Sequence, residues 1–141
     1  MAGAATPVAV DTHILFSILL RSDSAFAQLL LGSEHEFYVC ESVLVELFKH
    51  KEKIVRLSRL DEDGVVRFLH LLLRSLRVRK EELIAPEHWR AARDLCAGID
   101  ESDTPHVALA LDLGGVLWTG DKRLREGLLA RGFDRFFVST S

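Results

Sequence analysis

Cysteine is nearly absent from this chain. Its two residues, Cys40 and Cys96, form no Cys-x-x-Cys pair and share no Cys/His spacing of the kind that holds zinc. Each reads as a buried reduced thiol, a small hydrophobe of a reducing compartment, and a zinc site is not expected. Long apolar runs are missing as well. Stretches such as Val107 to Leu111 fall well short of the roughly 18 residues a membrane span needs, and charged residues interrupt every candidate. Met1 to Pro7 is small and uncharged, without a basic leader, so a cytoplasmic address and no membrane partner are expected. Charge of one sign is also lacking: the net charge of -3 argues against a protein that grips nucleic acid by bulk electrostatics. No G-x-G-x-x-G follows the first apolar run, which removes the pyrophosphate loop of a dinucleotide-dependent oxidoreductase. Internal repeats, linkers and low-complexity segments are absent.

What is present suits one compact unit. A length of 141 residues with 48% hydrophobic content supports a single domain over residues 1–141 and is too short for two ordinary ones. Val8 to Val10 reads as a short buried strand that passes into a helix from Ile14 to Leu20. Ser22 or Ser24 is placed to cap a helix through Leu31, which Gly32 ends. The run Phe37 to Cys40 is aromatic and β-branched, hence a strand, and Ser42 is placed to cap a helix reaching about Lys51. Helices are expected over Ile54 to Leu60 and over Val65 to Leu76, where apolar residues recur at helical spacing. Leu83-Ile84 reads as a short strand, and Trp89, Ala92 and Cys96 mark the helix before Gly98. Thr104-Pro105 opens a helix that is apolar almost all round, since proline at the first helical position sacrifices no needed N–H. Val116 to Thr119 reads as a strand, Lys122 to Ala130 as a helix and Phe136 to Val138 as a closing strand. The alternation implies an α/β fold with a mainly parallel central sheet of about five strands covered on both faces.

Four carboxylates occupy positions that folding does not demand. Asp11 ends the first apolar run, Glu46 lies one turn into the helix after the second strand, Asp103 precedes the Thr104-Pro105 helix start, and Asp121 follows the strand Val116 to Thr119. In open α/β sheets ligands bind outside the carboxyl ends of the strands, so these sequence-distant acids are expected to converge there. Crowded carboxylates repel one another unless a cation neutralises them. Hard ions such as Mg²⁺ or Mn²⁺ prefer oxygen ligands and promote in-line phosphodiester displacement, which makes hydrolysed nucleic acid the natural product. Three basic stretches, Lys49 to Arg59, Arg74 to Lys80 and Lys122 to Arg125, are suited to neighbouring phosphates or to ordinary solvated helix faces. Asp100 is a fifth acid close to Asp103, read as a solvated loop carboxylate.

The segments Asp11-Thr12, Glu46-Leu47, Asp103-Thr104-Pro105-His106-Val107-Ala108-Leu109-Ala110 and Leu117-Trp118-Thr119-Gly120-Asp121-Lys122 together resemble the PIN-domain nucleases, in the family's order and over nearly the whole chain. The resemblance implies a Rossmann-like three-layer α/β/α fold and Mg²⁺- or Mn²⁺-dependent ribonuclease activity. It carries the family's acidic roles, catalytic and metal-binding, onto Asp11, Glu46, Asp103 and Asp121. It implies that Thr119 orients a bound water or an acid, and that Thr12 supports the site through its hydroxyl. Position 13, commonly Asn or Ser in such proteins, is His13 here and receives no role; His106 reads as a structural neighbour. Many small members resemble VapC-like toxins of toxin-antitoxin pairs, so RNA, an antitoxin protein and a second copy in a homodimer are the implied partners. A solitary RNA-processing nuclease fits equally. A non-cleaving RNA- or protein-binding module is the alternative, and the intact acids argue against it. A phospho-receiver would want paired acids after the first strand and a lysine closing the last, and neither appears.

Overall fold

In the computed structural model of the chain, which describes residues 6–32 and 34–137, Val8, Ala9 and Val10 are completely buried. In a parallel sheet, burial of consecutive residues marks a strand covered on both faces. This run forms β1 (Pro7–Val10), flanked in the sheet order β3-β2-β1-β4 by β2 (Glu36–Cys40), β3 (Leu76–Arg79) and β4 (Val116–Trp118). Every pairing is parallel. The helices are α1 (Thr12–Leu20), α2 (Ala25–Gly32), α3 (Glu41–Lys49), α4 (Lys51–Leu57), α5 (Glu62–Arg74), α6 (Pro86–Cys96), α7 (Thr104–Leu113) and α8 (Lys122–Ala130).

Strand register assigns the layers. Ala9 stands beside Tyr38 and Leu117, and Cys40 beside Arg79, so these side chains share one face. On that face the Cys40 thiol donates to the Pro105 carbonyl at 3.4 Å and Arg79 donates to Asp112 at 3.2 Å, which lays α7 across it. Val8, Phe37 and Trp118 face the other way, and Phe26 of α2 meets Trp118 edge-on at 5.7 Å. Helices therefore cover both sides of a parallel sheet, as the alternating pattern implied. The buried apolar residues form one continuous cluster. Both cysteines lie in it as free thiols, and burial, reinforced by Glu81, pushes the Cys40 thiol up to about 12. Among the described residues no single helix is long and apolar enough to cross a membrane.

Three elements depart from the sequence reading. The helix expected through Leu76 ends at Arg74, and Leu76–Arg79 joins the sheet because Leu76 and Val78 pair with Phe37 and Val39. Cross-strand partners decided that segment over its helical periodicity, and its alternating arginines suit a sheet edge, which charge protects from further pairing. Leu83-Ile84 is no strand: Glu81–Leu83 forms a 3-10 turn that drops Ile84 into the core. The closing strand is represented by a lone bridge between Leu117 and Phe136, and Val138 lies outside the described residues. The described sheet thus has four strands where about five were expected. Smaller shifts follow from capping. α4 runs over Lys51–Leu57, earlier than Ile54 to Leu60, and Asp61 caps α5 by accepting from the Gly64 N–H at 2.7 Å. Cys40, not Ser42, is the N-cap of α3, and Glu81 accepts the Ser42 N–H at 2.7 Å in place of a local side chain.

The Gly114-Gly115 pair places β4. Gly114 takes the left-handed conformation (φ 61°) that caps α7, and a Cβ on Gly115 would stand 2.1 Å from the Pro7 carbonyl oxygen of β1. The first glycine is needed for its φ, the second for the close approach of two backbones. We expect Gly115→Ala to be the costlier change. It should destabilise by about 2 kcal/mol or more through backbone displacement, against roughly 1 kcal/mol for Gly114→Ala. Urea unfolding of the two variants checks the order.

Candidate metal centre at the carboxyl edge of the sheet

The chain leaves β1 toward β2 on one side and returns to β4 on the other, so strand order reverses between β1 and β4. Crevices at such a point are where open α/β sheets bind ligands. The Asp11 N–H donates to the Trp118 carbonyl at 3.1 Å, tying the two strand ends together.

Asp11 caps α1. Its Oδ1 accepts the Ile14 N–H at 2.9 Å, while its Oδ2 is buried with no partner. The residue is only 1% exposed, and a carboxylate oxygen left bare at that depth carries a desolvation cost that folding gains nothing from. Asp121 caps α8 in the same way, its Oδ1 accepting the Leu124 N–H at 3.1 Å. Thr119, buried at the end of β4, accepts the Asp121 N–H on its hydroxyl at 3.1 Å, and Arg125 donates to the Thr119 carbonyl at 3.3 Å. Thr119 thus sets the turn that presents Asp121.

Asp103 is buried at the start of α7, and Asp100 stands one 3-10 turn before it. In such a turn residues i and i+3 eclipse. Carboxylate oxygens of Asp100, Asp103 and Asp121 all lie within 4.8 Å of one another. Burial is the main cause that pushes Asp103 up to about 7, with the charges of Asp100, Asp11 and Asp121 adding to it. Asp100 moves the other way, held low chiefly by its hydrogen bond from the Ser102 hydroxyl. The two neighbouring acids are thus driven in opposite directions.

Glu46 stands apart from that trio. Its side chain is 47% exposed and meets His50 at 3.5 Å, one helical turn along α3. His13 is exposed on the first turn of α1, near enough for its charge to act on Asp100 and His106. His106 is buried; its Nε2 lies 3.2 Å from the Thr12 hydroxyl and its Nδ1 has no partner. Burial lowers its pKa, and the ring holds the Thr12 hydroxyl beside Asp11. Sequence reasoning undervalued Asp100, although the Asp-x-x-Asp spacing was the signal for it. Nothing local marked Glu81, whose reach to α3 depends on the chain's return along β3.

Asp11 lies outside the trio of Asp100, Asp103 and Asp121, near enough for its charge to act on Asp103, and the trio's all-oxygen set, with Asp103 buried, fits a hard divalent cation. A family model described as PIN domain matches residues 9–138. The crystal structure of PAE2754 from Pyrobaculum aerophilum is similar, with a TM-score of 0.59 and 21% identity, covering 88% of this chain and 80% of that one. At such identity the likeness speaks for the fold alone. No curated protein matches the chain.

The raised Asp103 pKa has a stability consequence with a definite sign. Between the unfolded value near 4 and the folded value of about 7, the native state holds a proton that the unfolded chain has released. Metal-free stability should therefore fall as pH rises through that window. Millimolar Mn²⁺ should restore most of the loss at the upper end, because a cation selective for the native state stabilises it. Melting temperatures measured from pH 4 to pH 8 with and without Mn²⁺ check both signs.

Proposed function

The chain belongs to the PIN-domain family, and from that premise we propose that it is a metal-dependent endoribonuclease hydrolysing phosphodiester bonds of single-stranded or structured RNA, with its 141 residues acting as one domain. PIN domains are generally metal-dependent nucleases. The observation that carries the reading for this chain is the close trio Asp100, Asp103 and Asp121, together with the bare, buried Oδ2 of Asp11, whose charge acts on Asp103.

In this reading Asp11, Asp103 and Asp121 hold Mg²⁺ or Mn²⁺, and Asp100 joins them. Glu46, the fourth principal acid, stands outside the trio and meets His50 at 3.5 Å. The ion, when bound, supplies Lewis acidity and charge neutralisation for in-line displacement at phosphorus. The chain's own part is positional. Thr119 fixes the Asp121 backbone, the α1 and α8 N–H groups fix one oxygen each of Asp11 and Asp121, and Asp103 surrenders its proton when the cation arrives. Lys122 and Arg123 are exposed in the first turn of α8, where the helix dipole disfavours cations, so a phosphate backbone beside the acids is the better account of their presence.

A protein partner belongs to the same reading. Val45, Phe48 and Val66 are 62%, 64% and 46% exposed, and Phe48 and Val66 line an apolar groove formed with Leu47 of α3, Ile54 of α4 and Leu69 of α5. An antitoxin peptide or a second copy of the chain would cover it, and a solitary nuclease would leave it open.

Cleavage of a labelled single-stranded RNA should require Mn²⁺ or Mg²⁺ and stop with chelator. Asp11→Asn, Asp103→Asn and Asp121→Asn should each lower kcat/KM by roughly 100-fold or more, the loss expected when several kcal/mol of charge stabilisation disappears. Glu46→Gln should lose less, in keeping with its exposed carboxylate. Wild-type rates from folded Asp11→Asn and Asp121→Asn proteins would reject the site.

A further inference from the structure

Two clefts meet on the side of the acids formed by the first two helices. One, of about 430 Å³, is lined by Ser17, Phe26, Gly120 and Asp121 among others; the next, of about 420 Å³, is lined by Ser17 and Phe26 again together with Arg21 and Ser24. The shared residues make them one groove that starts at an acid of the trio and ends at a cation. Each part lies within the ~300–1,000 Å³ range of sites that hold a small ligand. Phe26 is half-buried, packs edge-to-face with Trp118, and lines both parts of the groove. Among the described residues Arg21 is exposed and has no ion pair or side-chain hydrogen bond.

Gly120 supplies an independent observation. Its φ is not positive, and a Cβ there would meet only the Ile14 Cδ1, at an ordinary 3.7 Å. The fold has no steric need of glycine at this exposed position, yet a side chain would stand in the cleft next to Asp121. An open glycine beside Asp121 lets a ligand approach the backbone closely.

We propose that this groove is the subsite for the nucleotide adjoining the cleaved phosphate of a single strand, with the base stacked against Phe26, the backbone passing over Gly120 and the next phosphate at Arg21. The inference rests on the nuclease reading for its direction, since the acids mark where the cleaved bond lies. An aromatic platform reads any base through its π-face and an arginine reads the backbone, so the subsite selects for unpaired strand and not for sequence. A base held within a duplex stack has no free face to offer Phe26.

The test uses the full chain and a fluorescent single-stranded RNA oligonucleotide, with cleavage followed in Mn²⁺ and binding followed by anisotropy in chelator. Phe26→Leu is expected to raise KM roughly tenfold with kcat little changed, the loss of one stacked base, and to erase the penalty caused by an abasic residue next to the cleaved bond. Gly120→Ala is expected to weaken binding with no fall in melting temperature. Arg21→Gln should reduce the slope of log affinity against log salt by about 0.7, one phosphate contact on a single strand. Should Phe26→Leu fail to fold, the other two variants carry the decision. Unchanged KM, binding and salt slope in folded Gly120→Ala and Arg21→Gln proteins that still cleave would overturn the subsite and leave the nuclease reading standing. Binding that depends on Arg21 and Gly120 without any cleavage would uphold the groove as a single-strand binding site and sink the nuclease reading, and with it the groove's assignment to a cleaved bond. Wild-type protein that binds no oligonucleotide would overturn the subsite outright.

Discussion

Mutual repulsion among desolvated carboxylates is the constraint around which this molecule is arranged. Asp103 is buried beside Asp11, Asp100 and Asp121, and burial together with those charges raises it to about 7. A fold selected for stability alone would dismiss such a cluster, because each buried acid without a compensating partner costs more than an apolar residue of the same size. The scaffold instead holds the acids in place from several directions. α1 and α8 each contribute a backbone N–H to one acid, and the Thr119 hydroxyl pins the turn ahead of Asp121. These bonds satisfy one oxygen of Asp11 and leave the other bare. Strain of this kind is what a cation would relieve.

The rest of the architecture serves that placement. β1 and β4 must lie side by side for Asp11 and Asp121 to meet, and the Gly115 backbone makes room for Pro7 to permit it. α7 must begin at the same edge for Asp103 to join them, and the Cys40 contact with the Pro105 carbonyl and the His106 contact with Thr12 hold its first turn against the ends of β2 and β1. At the other end of α7, Asp112 accepts from Arg79, from His88 and from the Ala85 N–H, an unusual place for an acid, since a helix C-terminus favours cations. Those three donors offset the dipole and fasten β3 and α6 to the same helix.

How much of this could be read in advance depended on whether the physical cause was local. β1 and the Thr104-Pro105 start were legible because an apolar run and a proline at the first helical turn each act within a few residues. β3 was not, since its strand character comes from Phe37 and Val39 and not from its own composition, which continues the periodicity of α5. The trio's membership was half legible. Asp103 and Asp121 stood out by position, while Asp100 needed the knowledge that the segment before α7 winds as a 3-10 turn. Glu46 illustrates the opposite limit: apolar neighbours in sequence implied a buried acid, yet Val45 and Phe48 are themselves exposed and the helix turns the Glu46 carboxylate to His50 and solvent. His106 and Glu81 were silent because their partners, Thr12 and Ser42, lie far along the chain.

Anomalous scattering from a crystal of this protein soaked in Mn²⁺ tests the account at its centre. The account predicts a peak bonded to carboxylate oxygens of Asp103 and Asp121, with the free oxygen of Asp11 directed at it. A well-ordered crystal with no peak there, or with manganese only at unrelated surface acids, would contradict it.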